Sequence, residues 1–332
     1  MIEIKNCPSL LTAGFDSYSP RGRRELFGGA RVNHLLDFEF EGLRKDRRLT
    51  DAMHRISVSG VQEKFPAVVV DGQIRLASTD DRSRYILKPA PWDDTLQSRK
   101  LVPVNEHLTM QIARQVYGIQ TADNGLCFTP KGQPVYITRR FDVVADGSKL
   151  EMEDFATVVG RNEQTDGKEF KYSGSFEEIA HGIRQNVAAW MVDMERFFDL
   201  VVFNYIFANG DDHLKNFSLI RQGADLRLAP AYDLLNTSLH VDGDDLGLDG
   251  GLSPNLDRSD VWDRTGHPCR KDFQQFGLLI GLLPKRVEKL LDRYMSIPDA
   301  AISLVERSFL PKKQKRYYLS IVQERIARFR RG

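Results

Sequence analysis

The stretch Trp190–Ala208 sets the terms for the rest of the chain. It is long, apolar around most of its circumference, and stopped by Asn209-Gly210. That pattern predicts a helix buried on nearly all sides, the spine of a sizeable helical core. Its most apolar part, Phe197–Ala208, is interrupted by Asp199 and Asn204 and is too short to span a bilayer. A chain of 332 residues exceeds one small core and suits two lobes or domains.

The residues after this helix carry chemistry. Asn209 to Asp233 reads Asn-Gly-Asp-Asp-His-Leu-Lys-Asn, then Phe-Ser-Leu-Ile, a turn, and Leu-Ala-Pro-Ala-Tyr-Asp. Phosphoryl transfer to a hydroxyl needs one carboxylate to accept the hydroxyl proton. It also needs an amide and a second carboxylate to hold Mg²⁺ on the phosphates. On that reading Asp211 is the general base, separated from its neighbour Asp212 only by its five-residue offset from Asn216. Asn216 and Asp233 bind Mg²⁺, and Lys215 neutralises charge on the transferring phosphoryl group. His213 is either a backbone brace or the base itself. The bland alternative is a polar turn, since Asn, Gly and Asp are common turn formers. Asp233 argues against it, because a carboxylate leaving the apolar run Leu228–Tyr232 is costly unless paired or on a metal.

Upstream, Phe65–Val70, an Asp71-Gly72 turn and Gln73–Ala77 predict a hairpin, and Tyr85–Lys88 predicts a further strand. A helix is expected from about Val104 to Tyr117, with Leu108, Ile112 and Val116 at four-residue spacing and Gly118 as its stop. Leu126–Thr129 and Val135–Thr138 predict a second hairpin. This order describes a small, mostly antiparallel lobe with one helix. Lys88, at a strand end, can reach nucleotide phosphates with Glu106 to orient it, or else is an edge lysine reaching water. Ser57-Val58-Ser59-Gly60 offers small residues and free N–H groups to phosphates. It is neither G-x-G-x-x-G nor a Walker A loop.

Elsewhere, Ser19–Arg24 reads as a basic turn, Phe27–Gly29 as a break, and the first fifty residues as an irregular extension. Short helices are expected at Glu153–Val159 and Ser175–Ile183, around a polar loop Asp166–Gly174. His240–Pro254 reads as a flexible acidic loop that lacks the ligand spacing of an EF-hand. Helices resume at about Lys271–Leu283, Lys285–Tyr294 and Lys312–Arg330. The last is amphipathic and basic, and either packs with its basic face in water or binds nucleic acid.

A formal net charge of +1 gives no general electrostatic case for nucleic acid. Cys7, Cys127 and Cys269 are far apart and fit free thiols in a reducing cytosol. Met1–Pro8 has no apolar core of a signal peptide, so a cytoplasmic protein with no membrane partner is expected.

Taken together, Ser57–Lys64, Tyr85–Pro89, Asn105–Met110, Arg139–Asp142, Glu153–Phe155, Asp211–Ser218 and Pro230–Asp233 occur in the order seen in HipA-like toxin kinases, which this chain resembles over roughly residues 55–330. The resemblance implies an α+β, two-lobed protein-kinase-like fold. Residues 1–54 would be an extension packing on the N-lobe, 55–142 a β-rich N-lobe and 143–332 a larger helical C-lobe. It implies ATP and Mg²⁺ as cofactors, with Lys88 on the phosphates, Asp211 catalytic, Asn216 and Asp233 on Mg²⁺, and Thr138–Phe141 (Thr138, Arg140 and Phe141 included) as the adenine-contacting hinge. Arg139 departs from the acidic residue often found in such hinges. The family phosphorylates aminoacyl-tRNA synthetases (glutamyl or tryptophanyl), stalls translation and is checked by a helix-turn-helix antitoxin, through which DNA would be contacted. It also autophosphorylates a loop serine, matched by Ser57, with Ser59 as a second acceptor. Only about fifty residues precede the loop, so the chain looks like the short HipT form, in which a separate small protein supplies the N-terminal subdomain. The other readings are a kinase of a small molecule or lipid, and a non-catalytic nucleic-acid-binding regulator.

Overall fold

The computed structural model describes residues 3–41, 43, 63–78 and 81–331. The Ser57–Gly60 loop lies outside them. The chain divides into two compact units, one of Met1–Ile112, Thr121–Lys149 and Ser303–Lys315, the other of Ala113–Gln120, Leu150–Ile302 and Arg316–Gly332. The fold is α+β: one unit is built on a sheet, the other is mostly helical.

The first unit holds a five-stranded sheet of β1 (Phe65–Val70), β2 (Gln73–Leu76), β3 (Tyr85–Lys88), β4 (Asn124–Phe128) and β5 (Pro134–Arg139), in the order β2-β1-β3-β5-β4. Every pairing is antiparallel. The β1–β2 turn works because Asp71 and Gly72 both adopt positive φ, 52° and 75°, as a tight hairpin requires. The expected hairpins and the strand that ends in Lys88 are all present.

Pro20–Phe27 is a helix, α1, and not the basic turn expected. Ser19 caps it by accepting the Gly22 N–H at 3.1 Å, Pro20 opens it, and Gly28 closes it at a left-handed φ of 64°. The Ser-Pro and Gly-Gly pairs read as breaks are its two caps. Leu26 and Phe27 join Val32, Leu36 and Phe40 in one core with Phe65, Leu87, Val135 and Ile137. The irregular segment is tied in by the Asn33 N–H on Gly72 O and the Leu36 N–H on Phe128 O, each 2.8 Å. The helix α2 (Val102–Gln115) buries Asn105, Glu106, His107, Thr109 and Gln111 along with its apolar residues.

In the second unit β6 (Met152–Asp154), β7 (Ser218–Gln222) and β8 (Asp225–Leu228) form an antiparallel sheet in sequence order. Glu153 and Asp154 are strand, so the helix expected from Glu153 is confined to α3 (Phe155–Val158), capped by Asp154. After α4 (Glu163–Asp166), α5 (Phe176–Asn186) starts on a capping box of Ser175 and Glu178. The spine helix α6 (Trp190–Ile206) is buried at Phe197 through Ile206. It ends through Ala208, which takes a left-handed φ of 54° while its carbonyl accepts both the N–H and the hydroxyl of Thr237. An alanine held there is strained, and the two donors on its carbonyl are what fix it.

The remaining helices are α7 (Asp260–Thr265), α8 (Arg270–Leu279), α9 (Pro284–Asp292), α10 (Asp299–Arg307) and α11 (Lys312–Phe329). α7 and α10 were not expected. The C-terminal helix turns part of its basic face inward: Arg325 is buried and pairs with Asp245, which also accepts from His267 at 2.7 Å and Arg328 at 3.3 Å. The segment read as a flexible acidic loop is therefore an anchored one. All three cysteines are free and buried. Among the described residues no helix is long and apolar enough to cross a membrane.

Candidate functional site

Lys88 closes β3, and its side chain is 3% exposed. Its Nζ meets Glu106 Oε1 at 2.5 Å and lies 5.2 Å from the Tyr136 ring centroid. A buried ammonium needs such a partner, and the pairing leaves the amine fixed in direction. Thr138 follows on β5 with its hydroxyl donating to Asp123 O at 3.1 Å. Arg140 has its guanidinium paired with Asp142 and its N–H on Arg84 O, so its head group is already engaged within the unit. Phe141 is half-buried beside it.

The second unit brings together Asp211, His213, Lys215 and Asn216 on the loop between α6 and β7. The loop is self-braced: Asn216 Nδ2 donates to Asp211 O at 2.8 Å, and the Asn216 N–H donates to His213 O at 2.9 Å. The first bond fixes the amide plane and leaves its oxygen as the acceptor end. Asp233 stands after β8 at φ 57°, a left-handed conformation that Asp tolerates better than most residues. Its neighbour Tyr232 anchors it, the phenol donating to Lys215 O at 2.8 Å and sharing a 2.6 Å bond with Ser218 Oγ.

The two adjacent aspartates have opposite surroundings. Asp212 is 1% exposed; its Oδ1 accepts the Gly247 N–H at 2.8 Å and its Oδ2 accepts Asn204 Nδ2 at 3.1 Å. Burial pushes its carboxyl up to about 8. Asp211 is half-exposed and accepts the Tyr172 hydroxyl on Oδ1 at 2.7 Å. Of the pair, only Asp211 presents a carboxylate to an incoming group.

His213 is 2% exposed, and its Nδ1 has no hydrogen-bond partner among the described residues. Burial pushes its imidazole down to about 4, so the ring is neutral at pH 7. Lys215 is ion-paired with Asp154, the α3 cap, so its charge is already partly met.

Two residues were missed. Tyr172, with Lys171 beside it, sits in the polar loop that begins at Asp166. Lys171 is 8% exposed, and its carbonyl accepts the Leu214 N–H at 2.9 Å. Two aromatic residues, Phe170 and Tyr172, flanking a lysine in a loop otherwise made of polar residues and glycine were the available signal.

Comparison with known proteins decides the lineage. Residues 56–301 match the HipA-like C-terminal domain. The chain belongs to that family. A Haemophilus influenzae protein named "Putative kinase" is 25% identical over 330 residues, covering 93% of this chain and 92% of the relative. A Sinorhizobium fredii protein named "Putative kinase Y4mE" is 28% identical over 256 residues, 72% of this chain and 55% of the relative. The chain thus spans about half the length of Y4mE and nearly all of the Haemophilus protein. The HipA of Shewanella oneidensis MR-1, solved with HipB and its operator DNA, superposes with a TM-score of 0.60 at 18% identity, over 82% of this chain and 64% of that one. The kinase-like α+β fold expected from the HipA-like motifs is present.

Proposed function

We propose that this chain is an ATP-dependent serine/threonine protein kinase, the toxin of a toxin–antitoxin system. The observation that carries the reading is the contrast at Asp211 and Asp212: one carboxylate is sealed and braced, the other is accessible on a rigid loop with Asn216 bonded to its backbone. Phosphoryl transfer asks for that arrangement, since catalysis there is largely positioning and electrostatics.

In this reading Asp211 accepts the proton of the attacking hydroxyl. Lys88, oriented by Glu106, meets the nucleotide phosphates, and Thr138, Arg140 and Phe141 lie along the adenine side. Arg140 would act there through its backbone, its side chain being engaged with Asp142. The amide oxygen of Asn216 and the Asp233 carboxylate suit Mg²⁺, which takes hard oxygen donors and relies on one or two protein groups plus substrate phosphates. Bound Mg²⁺ would neutralise charge developing on the phosphates. Lys215 supports the same charge if it leaves Asp154, and His213, being neutral, serves as packing for the loop.

Autophosphorylation on Ser57 or Ser59 is the proposed control: nearly two negative charges would then stand where nucleotide phosphates bind. The Shewanella HipA was solved with HipB and operator DNA, which supports a helix-turn-helix antitoxin as partner here. A small protein supplying the N-terminal subdomain of a HipT-type system, and an aminoacyl-tRNA synthetase as substrate, complete the proposal. Labelling a cell lysate with γ-labelled ATP and the purified chain tests it. A labelled synthetase is expected, and label confined to a lipid or metabolite would overturn the toxin reading.

A further inference from the structure

Tyr172 has no part in the roles given above, yet it touches the group on which they turn. Its hydroxyl donates to Asp211 Oδ1 at 2.7 Å. The backbone on both sides of that hydroxyl is fixed: Lys171 O accepts the Leu214 N–H at 2.9 Å, and Tyr172 O accepts the Asp249 N–H at 3.0 Å. The ring is fixed as well. It meets the His213 ring edge-on with centroids 5.1 Å apart, and the Lys171 ammonium lies 4.7 Å from its centroid. Burial, followed by the Asp211 charge, pushes the phenol's pKa up, so it stays an O–H donor.

We propose that Tyr172 is the positioning residue for the general base. Its phenol locks the Asp211 carboxylate through Oδ1 and leaves Oδ2 to receive the acceptor's proton. The inference rests on the kinase reading of Asp211. In the step, the acceptor oxygen bonds to the γ-phosphorus as the bond to the ADP oxygen breaks. The acceptor's proton passes to Asp211 Oδ2, and Tyr172 keeps its own. A carboxylate free to turn about its last torsion would present the wrong orbital much of the time; a donor on one oxygen removes that freedom before substrate arrives.

The test is steady-state ATP turnover by the full chain with Mg²⁺, counting phosphate released and phosphate retained on protein. It compares wild type, Tyr172→Phe, Asp211→Asn and the double variant. Tyr172→Phe keeps the ring against His213 and Lys171, and matched melting curves confirm its fold. The expected result is a kcat lower by roughly 10- to 100-fold at unchanged KM for ATP, with no further loss when Tyr172→Phe is added to Asp211→Asn. An active wild type with an equally active Tyr172→Phe, or a loss confined to KM, overturns the positioning role alone. A wild type that turns over no ATP overturns the kinase reading and this role with it.

Discussion

Asp212 Oδ1 accepts the backbone N–H of Gly247 at 2.8 Å, which stitches the acidic loop to the residue next to the proposed base. The contact exists because residue 247 has no side chain: a Cβ there would lie 2.5 Å from Asp212 N and 2.7 Å from Asp212 Oδ1. Gly247→Ala should therefore destabilise the chain by roughly 1–3 kcal/mol and lower turnover with it. Gly243→Ala, where a Cβ meets nothing within 4 Å, is the control. Urea unfolding midpoints check both, and equal midpoints would count against the stitch.

The same contact shows what the sequence could and could not reveal. Hairpins were legible because Asp-Gly and β-branched runs act locally, and Lys88 with Glu106 was legible because an amine that meets phosphates calls for a carboxylate to orient it; the burial of the pair was not. The Asp211/Asp212 choice was not. Offset distinguished them on paper, but what separates them physically is Asn204 on the preceding helix and Gly247, 35 residues further on, closing over one and not the other. The α1 helix was missed because its caps were read as breaks, and the anchoring of Asp245 because Arg325 and Arg328 come from the far C-terminal helix.

Asp212 and His213 give stability two opposed pH dependences. Burial holds the Asp212 carboxyl at about 8 against an ordinary 3.8, so the folded chain keeps a proton that the unfolded chain releases. Its contribution is whole below about pH 4 and lost as pH rises to about 8. Burial holds His213 at about 4 against 6.5, so its contribution is whole above about pH 6.5 and lost as pH falls to about 4. The slopes, each at most roughly 1.4 kcal/mol per pH unit, offset one another in the lower window. Asp212→Asn isolates the first: wild-type stability minus variant stability should fall steadily from about pH 4 to 8. A difference flat in pH would contradict the burial argument.

Lys88 and Glu106 should separate stability from activity. Lys88→Met leaves the Glu106 carboxylate buried without its 2.5 Å partner and should cost roughly 3–5 kcal/mol. Adding Glu106→Leu should recover most of that loss, while ATP turnover stays abolished in both. Recovery of turnover in the double variant would make the pair purely structural.

The central claim is that Asp211 and Asp233 carry phosphoryl transfer, and it is tested most directly by incubating the purified chain with γ-labelled ATP and Mg²⁺. Label transferred to protein and label released as phosphate are counted for wild type, Asp211→Asn and Asp233→Ala, each with a native melting curve. The account predicts transfer by wild type and a loss of at least about 100-fold in both variants. Transfer that persists at the wild-type rate in either variant, or a folded wild type that transfers nothing, would contradict it.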